Sequence, residues 1–144
     1  MRLALIRQGL PYEILAVRSG PAGEVPLLEA LEALRSEDLR LSREVTAWLY
    51  ERLPFHGPAA ISKHIGNEIW QMSFGRLPGI GFRCLWFSGE RPREIICTYG
   101  FTKRLGESSP LDSIRRRAEG CREVFFDELS RGGRHEVQLI EGTI

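Results

Sequence analysis

The chain has no apolar run near the roughly 18 residues that a membrane-spanning helix requires, although 42% of its 144 residues are hydrophobic. Arg2, Arg7, Gly9 and Pro11 interrupt the opening segment, so a secretory leader is not expected either. The expected location is the cytoplasm, with no membrane partner. Cysteine is sparse: Cys84, Cys97 and Cys121 make an odd, widely spaced set with no CxxC pair, which excludes an even disulfide framework. His56, His64 and His135 stand at no ligand-like spacing from those thiols, so no metal centre is expected. Hydrolase elbow, phosphate loop, metalloprotease helix and dinucleotide fingerprint are all missing, and no cofactor is expected. Lysine is scarce as well, since 20 cations include only Lys63 and Lys103.

What is present is a chain of single-domain length, so residues 1–144 are taken as one domain. Its net charge of +1 hides an uneven distribution. Residues 55–118 carry 10 basic and 5 acidic groups, whereas residues 1–54 carry 7 and 8 and residues 119–144 carry 3 and 6. A basic middle dominated by arginine suits a polyanionic partner, because the guanidinium fork binds phosphate bidentately.

Hydrophobic spacing sets the expected elements. Residues 12–17 form a strand, with Leu3 to Ile6 extended before it. Leu27, Leu28, Leu31 and Leu34 have helical spacing, and Ser42 is expected to cap a second helix that buries Val45, Trp48, Leu49 and Leu53 before Pro54 ends it. Three strands follow over 68–74, 82–87 and 94–101, separated at hairpin distances. Ser109-Pro110-Leu111-Asp112 then has the pattern of a helix start, with Asp112 capping. That helix buries Ile114, Ala118, Cys121, Phe125 and Leu129 and stops near Gly132-Gly133, and residues 136–140 form a short last strand. The expected architecture is therefore α+β: an N-terminal strand, a two-helix hairpin, an antiparallel three-stranded meander forming a curved sheet, and a C-terminal helix.

Cations and proton donors gather along the meander: Lys63, His64, Arg76, Arg83, Tyr99, Lys103 and Arg104. Three blocks among them carry a resemblance. Lys63-His64-Ile65-Gly66-Asn67-Glu68-Ile69-Trp70, Phe82-Arg83-Cys84-Leu85-Trp86-Phe87, and Tyr99-Gly100-Phe101-Thr102-Lys103-Arg104 followed by Ser109-Pro110 resemble, in order and spacing, the phage-derived branch of the RelE/HigB toxin superfamily. The similarity covers residues 61–118.

That resemblance implies a RelE-like fold and the toxin half of a type II toxin–antitoxin module. Such a toxin is a metal-independent endoribonuclease that cuts translated mRNA in the ribosomal A site and is neutralised by a cognate helix-turn-helix antitoxin. It implies Lys63, Arg83, Tyr99 and Lys103 as the catalytic set, with Arg104 beside Lys103 in the place of the family's paired lysines. The RNA-contacting set expected from the basic stretch is His64, Arg76 and Arg116, together with Arg104. The chain departs from the family pattern at Ser73, which stands where the family has an arginine, and at Tyr99, which stands for a histidine. Arg76 is the nearest replacement for the missing cation. The alternative reading is a catalytically degenerate protein that binds RNA or another protein. Lys63, Arg83 and Lys103 are expected on one sheet face within about 15 Å of each other, because a developing phosphorane needs preorganised charge.

Overall fold

The computed structural model describes residues 1–9, 11–76, 78–133 and 135–139. The elements run β1 (Arg2–Gln8), β2 (Glu13–Val17), α1 (Pro26–Glu37), α2 (Leu39–Ala47), a π turn (Trp48–Arg52), α3 (Leu53–His56), a 3₁₀ turn (Ala59–Ile61), β3 (Ser62–Gly66), β4 (Ile69–Phe74), β5 (Gly81–Ser88), β6 (Glu94–Lys103), α4 (Leu111–Ser130) and β7 (Glu136–Leu139). Among the described residues they build one seven-stranded sheet in the order β3-β4-β5-β6-β2-β1-β7.

The class is α+β, but the expected architecture does not form. The N-terminal strand is a hairpin, β1 against β2, and β2 pairs in parallel with β6 over Glu13–Ala16 and Glu94–Cys97. The N-terminal part thereby joins the meander in one mixed sheet rather than lying apart from it. β7 adds to the far side, parallel to β1; residue 140 of the strand expected there lies outside the described residues. The meander itself has four strands, because Ser62–Gly66 pairs antiparallel with β4. A three-stranded sheet with one N-terminal strand and a RelE-like outline is thus replaced by a larger mixed sheet.

Two smaller expectations also change. The second helix starts at Leu39, where Asp38 accepts a hydrogen bond from the Leu41 N–H at 3.0 Å, and Ser42 is buried inside it. Pro54 does not end the helical stretch, which continues to His56; the proline occupies the first turn of α3, where its missing N–H costs nothing. Asp112 does not cap α4. It is exposed and pairs with Arg115 at 3.6 Å, while Ser109 Oγ accepts the Leu111 N–H at 3.3 Å.

Both faces of the sheet are covered. α1, α2 and the turns after them pack on one side, burying Leu27, Leu34, Val45, Leu49 and Leu53 against Met72, Phe74, Phe82, Cys84, Trp86 and Cys97. α4 crosses the other side and buries Phe125 and Ala118 against Leu3, Leu15, Ile69, Leu85, Phe87 and Ile96. Phe87 and Phe125 meet edge-on at 5.5 Å. Burial of each such ring contributes about 1.5–3 kcal/mol, so a few contacts suffice to hold α4 across the strands. Polar contacts hold it as well: Asn67, in the two-residue β3–β4 turn with φ +52°, donates to Glu119 at 3.0 Å.

Gly100 in β6 is required by a close approach. A Cβ there would stand 2.5 Å from Cζ of Phe82, whose ring is fully buried. The Gly100→Ala substitution is expected to cost about 1–3 kcal/mol by overpacking, measured as a lower denaturation midpoint at unchanged denaturant slope.

Candidate phosphate-binding face

Register determines which side chains share the sheet face that α4 partly covers. Lys63 lies opposite Gln71. Gln71 lies opposite Leu85 and Ser73 opposite Arg83. Arg83 lies opposite Phe101 and Gly81 opposite Lys103. Directly opposed residues project to the same side, and Leu85 belongs to the α4 core. Lys63, Gln71, Ser73, Arg83, Phe101 and Lys103 therefore share that side. Backbone spacing puts Arg83 about 12 Å from Lys63 and about 8 Å from Lys103, while the two lysines stand about 20 Å apart. The outer pair exceeds the expected span, because the lysines stand on β3 and β6, the two outer strands of the four-stranded meander, and are offset along them.

Arg83 is half-buried and held by backbone. Its Nη1 donates to the carbonyls of Phe74 at 3.0 Å and Phe82 at 3.1 Å. Desolvation lowers its pKa below the ordinary arginine value, yet no acidic residue lies in β3, β4 or β5 to neutralise it. The guanidinium folds back over Gly81, where a Cβ would stand 2.8 Å from Nη1. Glycine at 81 is thus what gives the arginine its place.

Tyr99 enters the same face from β6, under α4. The Arg117 guanidinium carbon stands 4.4 Å from the centre of its ring, and Cys121 Sγ donates to its hydroxyl at 3.7 Å. Burial and Cys121 push the phenol above its ordinary pKa, and Arg117 pulls in the opposite direction without cancelling them. Burial also raises the Cys121 thiol. At neutral pH Tyr99 is therefore a protonated donor, not a base.

Four of the residues expected to contact RNA stand elsewhere. His64 is exposed on the opposite face, edge-on to Trp70 at 5.0 Å. Arg76 does not stand in for Ser73: after Gly75 the chain turns, and Arg76 lines a groove of about 640 Å³ with Asp38, Arg40 and Glu44 beside α2. Arg104 is ion-paired to Glu37 and reaches Glu107 at 3.7 Å, so carboxylates already occupy it. Arg116 is exposed on α4. Arg117 and Gln71 escaped sequence reasoning. Arg117 lies within a run of three arginines that looks like a solvated helix face, and only the crossing of α4 over β6 places it on Tyr99.

No protein-family model matches the chain, and no curated protein matches it either.

Two measurements probe this geometry. Gly81→Ala is expected to leave stability within about 1 kcal/mol while displacing the Arg83 guanidinium, seen as a shift of the Arg83 side-chain N–H signal in NMR. The Tyr99 phenol, assigned by its loss in Tyr99→Phe, is expected to titrate above an ordinary tyrosine. Arg117→Ala is expected to raise it further, since the cation favours the phenolate; a downward shift contradicts the assigned contact.

Proposed function

We propose that this protein is the toxin component of a type II toxin–antitoxin pair of the RelE/HigB kind: a metal-independent, ribosome-dependent mRNA endoribonuclease acting in the cytoplasm. Its partners in this reading are mRNA, the ribosome and a helix-turn-helix antitoxin. The three blocks over residues 61–118 support it, and one observation carries it: Lys63, Arg83 and Lys103 share a face with the protonated hydroxyl of Tyr99, and β3, β4 and β5 bring no carboxylate there.

In this mechanism the ribose 2′-oxygen attacks the adjacent phosphorus and the bond from phosphorus to the 5′-oxygen breaks, leaving a 2′,3′-cyclic phosphate and a 5′-hydroxyl. Arg83 and Lys63 stabilise the charge on the phosphorane oxygens. Tyr99 donates a proton towards the departing 5′-oxygen, with Arg117 stabilising the phenolate left behind. β3, β4 and β5 bring no histidine or carboxylate to this face to take the 2′-OH proton, which passes to water or to a ribosomal group. Alignment of the 2′-OH on the ribosome replaces part of the missing base, since orientation is worth several kcal/mol of barrier. A second reading, RNA binding without cleavage, is favoured by the raised pKa of Tyr99, because a general acid works best near the operating pH.

Expression without an antitoxin is expected to arrest growth, and primer extension on a translated message is expected to map cuts in the A site that vanish from an untranslated copy. Arg83→Ala is expected to lower cutting about 100-fold or more, with circular dichroism confirming that it folds without its bonds to Phe74 and Phe82. Neither cuts nor a growth defect at high expression refutes the nuclease and leaves the binding reading.

A further inference from the structure

Ser73 is the position at which the basic face loses a cation, yet its surroundings are those of a hydrogen-bond donor. Gln71 and Ser73 stand two residues apart on β4, on the Arg83 side of the sheet. Gln71 is a buried amide, 5% exposed, with Lys63 and Leu85 as its cross-strand neighbours. Burying an amide is unfavourable unless it is hydrogen-bonded, and its Nε2 donates to Ser73 Oγ at 3.3 Å. The serine oxygen is thus an acceptor in this pair, which leaves its own O–H to donate elsewhere. Ser73 is half-buried, not sealed, and lies directly opposite Arg83.

We infer that the Ser73 hydroxyl, oriented by the buried Gln71 amide, is a neutral donor to a non-bridging phosphate oxygen of RNA held on Arg83. This rests on the RNA-binding reading of the face and adds to it a contact that carries no charge. Gln71 acts as a positioning residue through Ser73. The pairing also explains why a glutamine is buried between Lys63 and Leu85 at a strand position that would otherwise hold an aliphatic side chain.

Salt dependence separates a neutral donor from a cation. Each cation that neutralises a phosphate of a single strand adds about 0.7 to the slope of log affinity against log salt; a hydroxyl adds nothing. The probe is a fluorescent single-stranded RNA dodecamer, 2′-O-methylated so that it cannot be cut, titrated by anisotropy across a salt series. Ser73→Ala is expected to weaken binding about tenfold, the usual size of one hydrogen bond to a charged group, with the salt slope unchanged. Ser73→Thr retains the hydroxyl and is expected to restore affinity. Gln71→Leu is expected to weaken binding, and the double variant with Ser73→Ala to be no weaker than Ser73→Ala alone. Arg83→Ala is expected to weaken binding and to flatten the slope.

Wild-type affinity in Ser73→Ala, or equal losses in Ser73→Ala and Ser73→Thr, overturns the hydroxyl assignment while an Arg83→Ala loss preserves the RNA-binding face. If Arg83→Ala also binds like the wild type, the face itself is not the RNA site, and both readings fall.

Discussion

In β5 successive side chains must point to opposite sides of the sheet, and here both sides are filled. Phe82, Cys84 and Trp86 enter the core under α1 and α2, whereas Leu85 and Phe87 enter the core under α4. Gly81 and Arg83 continue the second series beyond Leu85. Any slip of one residue would carry Arg83 into the first core and expel Phe82, so the burial of five apolar side chains holds the arginine in place. The cationic face is a consequence of that alternation.

The helix that completes the second core also borders the face. α4 is held by Phe125 and Ala118, and the turns that bury those residues present Arg117 and Cys121 to Tyr99. Packing and chemistry are therefore coupled through one rigid element. A substitution that shifts α4 alters both the core at Phe87 and the environment of the Tyr99 hydroxyl. The Asn67–Glu119 hydrogen bond ties the same helix to the β3–β4 turn, next to the strand that carries Lys63.

Keeping arginine half-buried is unfavourable in itself, as its lowered pKa records. Two backbone carbonyls offset part of that cost, and the missing Cβ at Gly81 leaves room for the guanidinium. A carboxylate partner would stabilise the cation more simply but would occupy the group. Arg104 illustrates the contrast: its ion pairs with Glu37 and Glu107 stabilise it and spend its charge within the protein. An arginine held by carbonyls remains available to an anion.

Periodicity in the chain was enough for α1, for the strands β4, β5 and β6, and for the buried stripe of α4, because each carries a run of apolar residues at one clear spacing. It did not disclose β3, whose Ser-Lys-His-Ile-Gly is short and polar, since an edge strand has one neighbour and needs little apolar surface. Nor did it disclose that β2 lies beside β6, because a parallel pairing between segments some 80 residues apart leaves no local mark. At the candidate site the sequence alone determined the inventory of cations and the facing of Arg83 opposite to Phe82 and Cys84, both consequences of strand alternation. Tertiary structure decided the rest. It turned His64 to the other face and took Arg76 to α2. It bound Arg104 to Glu37, and it brought Arg117 over Tyr99 and Gln71 beside Ser73. Those outcomes depend on cross-strand register and on the path of α4, which are set by how both cores fill rather than by any local spacing.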